Sequence, residues 1–105
     1  MIVTFDKPYL KELYEVGKTS DKKHRLQPQV VRGYQKGIRF LISASKIEDL
    51  YTIHSLNFEA LQGDKEGRFS IRANNKYRIE FTVTKTEEEP ILTICSILDL
   101  SNHYK

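Results

Sequence analysis

Between Phe69 and Phe81 the chain alternates apolar and polar residues with a period of two: Phe69, Ile71 and Ala73, then Tyr77, Ile79 and Phe81, separated by Asn74-Asn75-Lys76. That period belongs to strands with one buried face. Parity decides how the two runs pair. A two-residue loop would set Phe69 opposite Glu80 and Ile71 opposite Arg78, sending the apolar sets to opposite sides of the sheet. A three-residue loop instead places Ala73 against Tyr77, Ile71 against Ile79 and Phe69 against Phe81 on a single core face. Asparagine tolerates the left-handed backbone such a loop requires. The same register leaves Ser70 opposite Glu80 and Arg72 opposite Arg78 on the other face.

Directly opposed like charges destabilise a sheet by about 0.2–1 kcal/mol, so the arginine pair calls for a compensating group. Two readings stand at this point. The pair belongs to a solvated face with Glu80 as diagonal partner, or it forms a phosphate-binding face, because a guanidinium offers several donors in a planar fork that matches phosphate oxygens.

The 105 residues suffice for one core and leave no room for a separate regulatory module, so one domain over residues 1–105 is expected. A 39% apolar content with six Tyr and five Phe argues for a folded globule rather than a disordered chain. Lysine and arginine outnumber the acids by 17 to 14, and the resulting pI near 9.0 favours an anionic partner without requiring nucleic acid. The single cysteine, Cys95, lies in the apolar run Ile91–Leu98 and reads as a small hydrophobe, with no internal disulfide available to it. The start Met1-Ile2-Val3-Thr4-Phe5 lacks the pattern of a signal peptide, and no apolar run approaches membrane-spanning length, so a cytoplasmic protein with no membrane partner is expected. The three histidines show no metal-ligand spacing and no Gly-rich phosphate loop is present, so neither metal nor cofactor is expected.

Ile2, Val3 and Phe5 predict a short opening strand. Asp6 then caps a short helix begun by Pro8, with Leu10, Leu13 and Tyr14 as its stripe and Gly17 as its end. Lys18–Arg25, including His24, reads either as a solvated connection or as a nucleic-acid contact. From about Pro28 a second helix carries Val31, Tyr34, Ile38, Leu41 and Ile42 on one face and Arg32, Gln35, Lys36 and Arg39 outward, a basic row that is either solvated or turned to RNA backbone. Gly33 and Gly37 each weaken it by about 1 kcal/mol relative to alanine. Ser45 is placed to cap a further turn near Lys46–Leu50, His54 lies in a crossing segment without catalytic company, and the acidic turn Thr86–Pro90 leads into the Ile91–Leu98 strand. Apolar on both faces, that strand belongs inside the sheet. The expected fold class is α+β: an N-terminal strand, two helices, then a three-stranded antiparallel meander, with the helices on one sheet face.

The chain closes on Asn102-His103-Tyr104-Lys105, which brings an imidazole and a phenol to the end of the last strand. Histidine titrates near neutrality, and a tyrosine ring stacks on bases. Taken together, Gly63-Asp64-Lys65-Glu66-Gly67, Ser70-Ile71, Arg78-Ile79, Phe81 and His103-Tyr104-Lys105 resemble the HigB-type plasmid-maintenance killer toxins of the RelE/ParE superfamily. The likeness covers the C-terminal half by motif and the N-terminal half by element order. It implies a RelE-like fold and a type II toxin that cleaves messenger RNA on the ribosome without a metal. Its implied partners are a HigA-like helix-turn-helix antitoxin, the ribosome and mRNA, with operator DNA bound only through the antitoxin. In roles implied by the resemblance, Arg78 stabilises charge, Lys65 holds backbone phosphate, His103 transfers a proton and Tyr104 orients or stacks on substrate; Arg72, by its place opposite Arg78, and Arg68, Lys76 and Asn102 are the further residues expected to meet RNA. Family members commonly carry histidine and lysine just before Gly-Asp, where this chain has Glu59 and Gln62, and many end in Asp-Tyr-His rather than Asn102-His103-Tyr104. Glu59 is accordingly the candidate general base, weakened by neighbouring arginines. The alternatives are a ParE-like DNA gyrase poison and a toxin-derived binding domain that has lost activity.

Overall fold

A computed structural model describes residues 1–102. The elements run β1 (Ile2–Phe5), α1 (Pro8–Glu15), α2 (Pro28–Ser43), β2 (Glu59–Ala60), β3 (Phe69–Arg72), β4 (Arg78–Lys85) and β5 (Thr93–Ser101), with short 3-10 turns between α1 and α2 and between α2 and β3. The five strands form one sheet in the order β1-β5-β4-β3-β2. Strands β3, β4 and β5 are the expected antiparallel meander. Strand β1 joins it parallel to β5, and the two-residue β2 adds an antiparallel outer edge to β3. The fold is α+β, as the element order predicts.

The parity argument holds residue for residue: Phe69 pairs with Phe81, Ser70 with Glu80, Ile71 with Ile79 and Arg72 with Arg78. The Ala73 amide donates to the Tyr77 carbonyl and closes the turn (2.9 Å), while Asn74 Oδ1 accepts from the amides of Lys76 and Tyr77. The left-handed backbone expected in this loop is not found, since none of Asn74, Asn75 and Lys76 has a positive φ; the Asn74 side chain closes the turn instead.

Helices α1 and α2 cover the face bearing Ile71, Ile79 and Phe81. Leu10, Leu13, Tyr34, Ile38, Leu41, Leu50 and Ile97 fill the space between, all essentially without solvent contact. The two helices are also joined by polar contacts. The Tyr34 hydroxyl donates to the Leu10 carbonyl (2.7 Å), and Gln35, expected on the outward face, turns its amide to the carbonyls of Leu13 and Tyr14 at the open end of α1. That end is completed by Gly17 at φ +87, whose amide returns to the Leu13 carbonyl.

Several local expectations are corrected. The residue preceding α1 is Lys7 rather than Asp6, and it makes no side-chain cap; Pro8 supplies the preset backbone alone. Tyr9 is more deeply buried in the stripe than Tyr14, and Ile42 is 44% exposed at the end of α2. The turn after α2 is held by Asp49, which accepts from the amides of Ser45 and Lys46, so Ser45 is not its cap. Strand β5 begins at Thr93 and runs through Asp99-Leu100-Ser101, leaving Ile91 and Leu92 exposed, with an irregularity opposite Glu80/Phe81. Its position between β1 and β4 is the internal one expected.

The two glycines of α2 have a packing reason. A Cβ on Gly33 would lie 1.9 Å from the Ala73 carbonyl oxygen, and one on Gly37 would lie 2.6 Å from Ile79 Cδ1. The helix therefore touches the hairpin where it lacks side chains. Gly33→Ala should destabilise the protein by about 2 kcal/mol despite its better helix propensity, because the opposing atom is backbone. Gly37→Ala should cost less than about 1 kcal/mol, since the Ile79 methyl can rotate away. Urea unfolding midpoints of the two variants check the order.

Candidate functional site

The second face of the sheet carries the polar set, and its centre is closed to solvent. Ser70 and Glu80 are fully buried, Arg78 is 6% exposed and Ser101 is 3% exposed. The segment from Asn57 to Arg68 lies over Ser70, Arg78 and Glu80. Cα pairing sets Glu59, Ser70 and Glu80 in one row across β2, β3 and β4, and Arg72, Arg78 and Ser101 in the next row across β3, β4 and β5.

Arg78 occupies the centre of this layer. Its Nε donates to Ser70 Oγ (2.9 Å), and its Nη2 donates to the Ser70 carbonyl (3.3 Å) and to the carbonyl of Asn57. Glu59 Oε1 approaches Nε at 3.7 Å. Asn57 has φ +46, a left-handed conformation that asparagine adopts more readily than most residues, and there its carbonyl meets the guanidinium. The expectation of two arginines presented together is thus corrected in part. They face each other in register, but Arg78 is turned into the covered layer and Arg72 stays exposed. Burial among carbonyls and a carboxylate offsets the like-charge cost that the sequence pattern raised.

Glu80 is partnered by two cations of the covering segment. Its Oε2 receives Lys65 Nζ at 2.6 Å and its Oε1 receives Arg68 Nη1 at 3.2 Å. Burial pushes the Glu80 carboxyl up, and the two adjacent cations outweigh it, holding the group below its ordinary range. Lys65 ends the 3-10 turn Gly63–Lys65, and Gly63 (φ +66) and Gly67 (φ +93) supply the left-handed bends on either side. The loop closes with the Leu61 amide on the Arg68 carbonyl (2.9 Å).

The remaining sequence candidates fall elsewhere. Lys76 and Asn102 line one cleft of 620 Å³, together with Arg25, Gln27, Asn74 and Tyr77, between the hairpin tip and the start of α2. Arg72 borders a smaller groove with Lys36 and Phe40 of α2. His103 and Tyr104 lie outside the described residues. Among the described residues no three His, Cys, Asp or Glu side chains gather as ligands for a metal ion. Cys95 is buried in the core and its thiol is pushed up to about 11 by that burial, which agrees with a packing role. His24 is less solitary than its sequence setting implies: its ring stacks on Tyr9 at 3.6 Å and its Nδ1 lies 3.0 Å from Asp21 Oδ2. Burial, with Asp99 nearby, raises the Tyr9 hydroxyl to about 12.

Sequence reasoning overlooked Asn57, Ser70 and Ser101 as members of this layer and did not name Lys65 and Arg68 as partners of Glu80. A signal for Ser70 and Glu80 was present, since the register sets a small hydroxyl and a carboxylate opposite each other beside Arg78. Nothing local announces that residues 57–68 fold over them.

Compared with known proteins, residues 3–93 match the family model described as the RelE-like toxin of the type II toxin-antitoxin system HigB. The chain belongs to the HigB family of RelE-like toxins. It is 34% identical to Toxin HigB-1 of Vibrio cholerae over 83 residues, which cover 77% of this chain and 82% of that protein. Its fold is similar to that of a YoeB/ParE toxin from Agrobacterium tumefaciens, with a TM-score of 0.55, 18% identity and coverage of 99% and 100% of the two chains. As a toxin of a type II system it has an antitoxin as partner. No helix among the described residues is long and apolar enough to cross a membrane.

The Glu80 cluster makes this toxin's stability acid-sensitive. A carboxyl lowered in the folded state contributes stability above its unfolded pKa, and that contribution is lost as pH falls through the folded value. Urea midpoints measured from pH 7 down to pH 3 should therefore fall more steeply for the wild type than for Glu80→Gln. Parallel curves would assign the acid limb to other carboxylates.

Proposed function

We propose that this HigB-family toxin is a ribosome-dependent endoribonuclease that stops translation by cutting messenger RNA. The observation that carries the reading is the rigid placement of Arg78 within 3.7 Å of Glu59, at the strand position opposite Ser101, two residues before His103 in the sequence. A guanidinium held by three acceptors is preorganised charge, which needs no rearrangement when a phosphodiester gains negative charge. Glu59, with 46% of its side chain exposed, is the general base that takes the proton of the attacking 2′-hydroxyl. The new bond joins that oxygen to phosphorus, the bond to the 5′-oxygen breaks, and His103 donates a proton to the leaving oxygen. Tyr104 stacks on or orients the nucleotide. Lys65, Arg68, Arg72, Lys76 and Asn102 meet the RNA, a HigA-like helix-turn-helix antitoxin silences the toxin and links it to operator DNA, and the site of action is the cytoplasm.

Cell-free translation tests this. Purified toxin should halt synthesis and cut message only when ribosomes are present. Intact translation with inhibited DNA supercoiling would identify a gyrase poison instead, and neither effect would point to a binding domain without activity. Glu59→Gln should lower the cleavage rate by about 100-fold with little loss of stability, since the side chain is half exposed.

Arg72 tests substrate contact separately from chemistry. Its exposure makes it a cleaner probe than Arg78, whose removal would leave buried acceptors without their donor. Arg72→Ala should weaken association with RNA or ribosomes and reduce the logarithmic salt slope by about 0.7. An unchanged slope would remove Arg72 from the RNA-contacting set.

A further inference from the structure

Glu80 has no assigned role, and its setting is unusual for a residue that only stabilises. Its side chain has no solvent exposure, yet it is a carboxylate with one oxygen on Lys65 (2.6 Å) and the other on Arg68 (3.2 Å). A buried ion pair is a poor stabilising device, because well-packed apolar groups of similar volume do as well or better. The two cations differ from the anion in one respect: their side chains remain 33% and 38% exposed. Each cation thus binds a carboxylate that has no solvent exposure from a side chain that is itself partly open to solvent.

Glu80 is the polar side-chain partner of both cations among the described residues. Neither Lys65 nor Arg68 makes another side-chain hydrogen bond or ion pair there. The loop backbone bends at Gly63 and Gly67, where a Cβ would meet nothing within 4 Å, so packing does not hold the loop at those two bends. A lysine and an arginine on such a loop would sample many rotamers without the carboxylate. Arg68 gives Glu80 one nitrogen, and a guanidinium has further donors to offer.

We propose that Glu80 is a positioning residue, which from beneath the covering loop sets Lys65 and Arg68 side by side as a fixed cationic pair for an RNA phosphate. The inference rests on the nuclease reading above and deepens it. Fixing the pair matters for rate more than for affinity: loose cations still attract a polyanion, whereas a phosphate near its transition state needs them already in place. Because Glu80 also cancels one positive charge, its neutralisation leaves the surface more attractive to RNA while scrambling the geometry.

Glu80→Gln separates placement from stability, and is measured with toxin on programmed ribosomes and on single-stranded RNA of non-cleavable 2′-deoxy type at the scissile nucleotide. The expected result is a maximal cleavage rate reduced at least tenfold, with RNA affinity at low salt equal to or tighter than wild type. The logarithmic salt slope should steepen by up to about 0.7, one more effective phosphate contact. Glu80→Asp, which keeps the charge on a shorter stem, should recover part of the rate. In a Lys65→Met/Arg68→Met background, adding Glu80→Gln should cause no further loss. A lower melting temperature with an unchanged rate per folded molecule and an unchanged slope would show Glu80 to be structural and overturn the inference. If Glu80→Gln does not fold, Glu80→Asp and the Lys65/Arg68 background decide the matter by the same readouts, a full wild-type rate in Glu80→Asp with no effect of the two Met changes being the overturning result. Wild-type toxin that cuts nothing on ribosomes would sink the nuclease reading and this inference together, whereas an active wild type with an indifferent Glu80→Gln sinks this inference alone.

Discussion

Two charged residues one position apart from Ile79 on β4 fasten the covering segment to the sheet. Arg78 reaches the Asn57 carbonyl and lies near Glu59, and Glu80 reaches Lys65 and Arg68. Between them they tie both ends of residues 57–68 to one strand. The first half of strand β4, Arg78–Phe81, is therefore buried on both sides, by apolar helix contacts through Ile79 and Phe81 and by ionic contacts through Arg78 and Glu80. The period of two that makes one face a core makes the other a charged floor. Removing Arg78 would leave the buried Ser70 acceptors without their donor, whereas removing the Glu80 charge would free two cations that already reach solvent.

The hairpin was legible because parity admits one register: every alternative loop length of two would have split Phe69, Ile71, Ile79 and Phe81 between faces. The helices followed from Pro8, Gly17 and Pro28 and from the spacing of Leu10, Leu13, Tyr34, Ile38 and Leu41. Gly33 and Gly37 were legible as weak points and not as contacts, since propensity describes the helix alone and the Ala73 carbonyl belongs to a segment forty residues away. Ile91 and Leu92 misled for the opposite reason. An apolar run has no internal mark for where a strand begins, and the boundary here is set by what β4 can pair with, from Lys85 opposite Thr93 to Arg78 opposite Ser101.

The site was legible in composition and not in arrangement. The register predicts that Arg72 and Arg78 are opposed, and they are. That one of them is folded inward depends on Asn57, 21 residues earlier, taking a left-handed conformation that lets its carbonyl face the guanidinium. Residues 57–68 contain two glycines, several charges and only two residues of strand, a pattern that by itself describes a surface loop. Membership of the HigB family settles what kind of protein this is, while the departures at Glu59 and Gln62 mean that the chemistry has to be argued from the side chains present.

The cations of this toxin divide into two kinds by what already holds them. Lys65, Arg68 and Arg78 are committed to acceptors within the covered layer, so their positions are defined before any substrate arrives. Arg32, Lys36 and Arg39 of α2 and Lys76 at the hairpin tip are exposed, and α2 contains no acidic residue at all. Exposed charges of one sign act at a distance through the field they sum to, raising the encounter rate with a polyanion and losing that effect as salt screens them. Committed charges act at contact, where a low-dielectric setting and fixed geometry make each worth more and screening matters less. An anionic chain approaching this molecule would first feel α2 and the hairpin tip. Among the described residues it would find fixed donors where the sheet's charged floor reaches the surface, at Lys65 and Arg68, beside the Glu59 carboxylate. Under the proposed nuclease function, attraction and alignment would therefore fall to different residues, and a change that alters one need not alter the other.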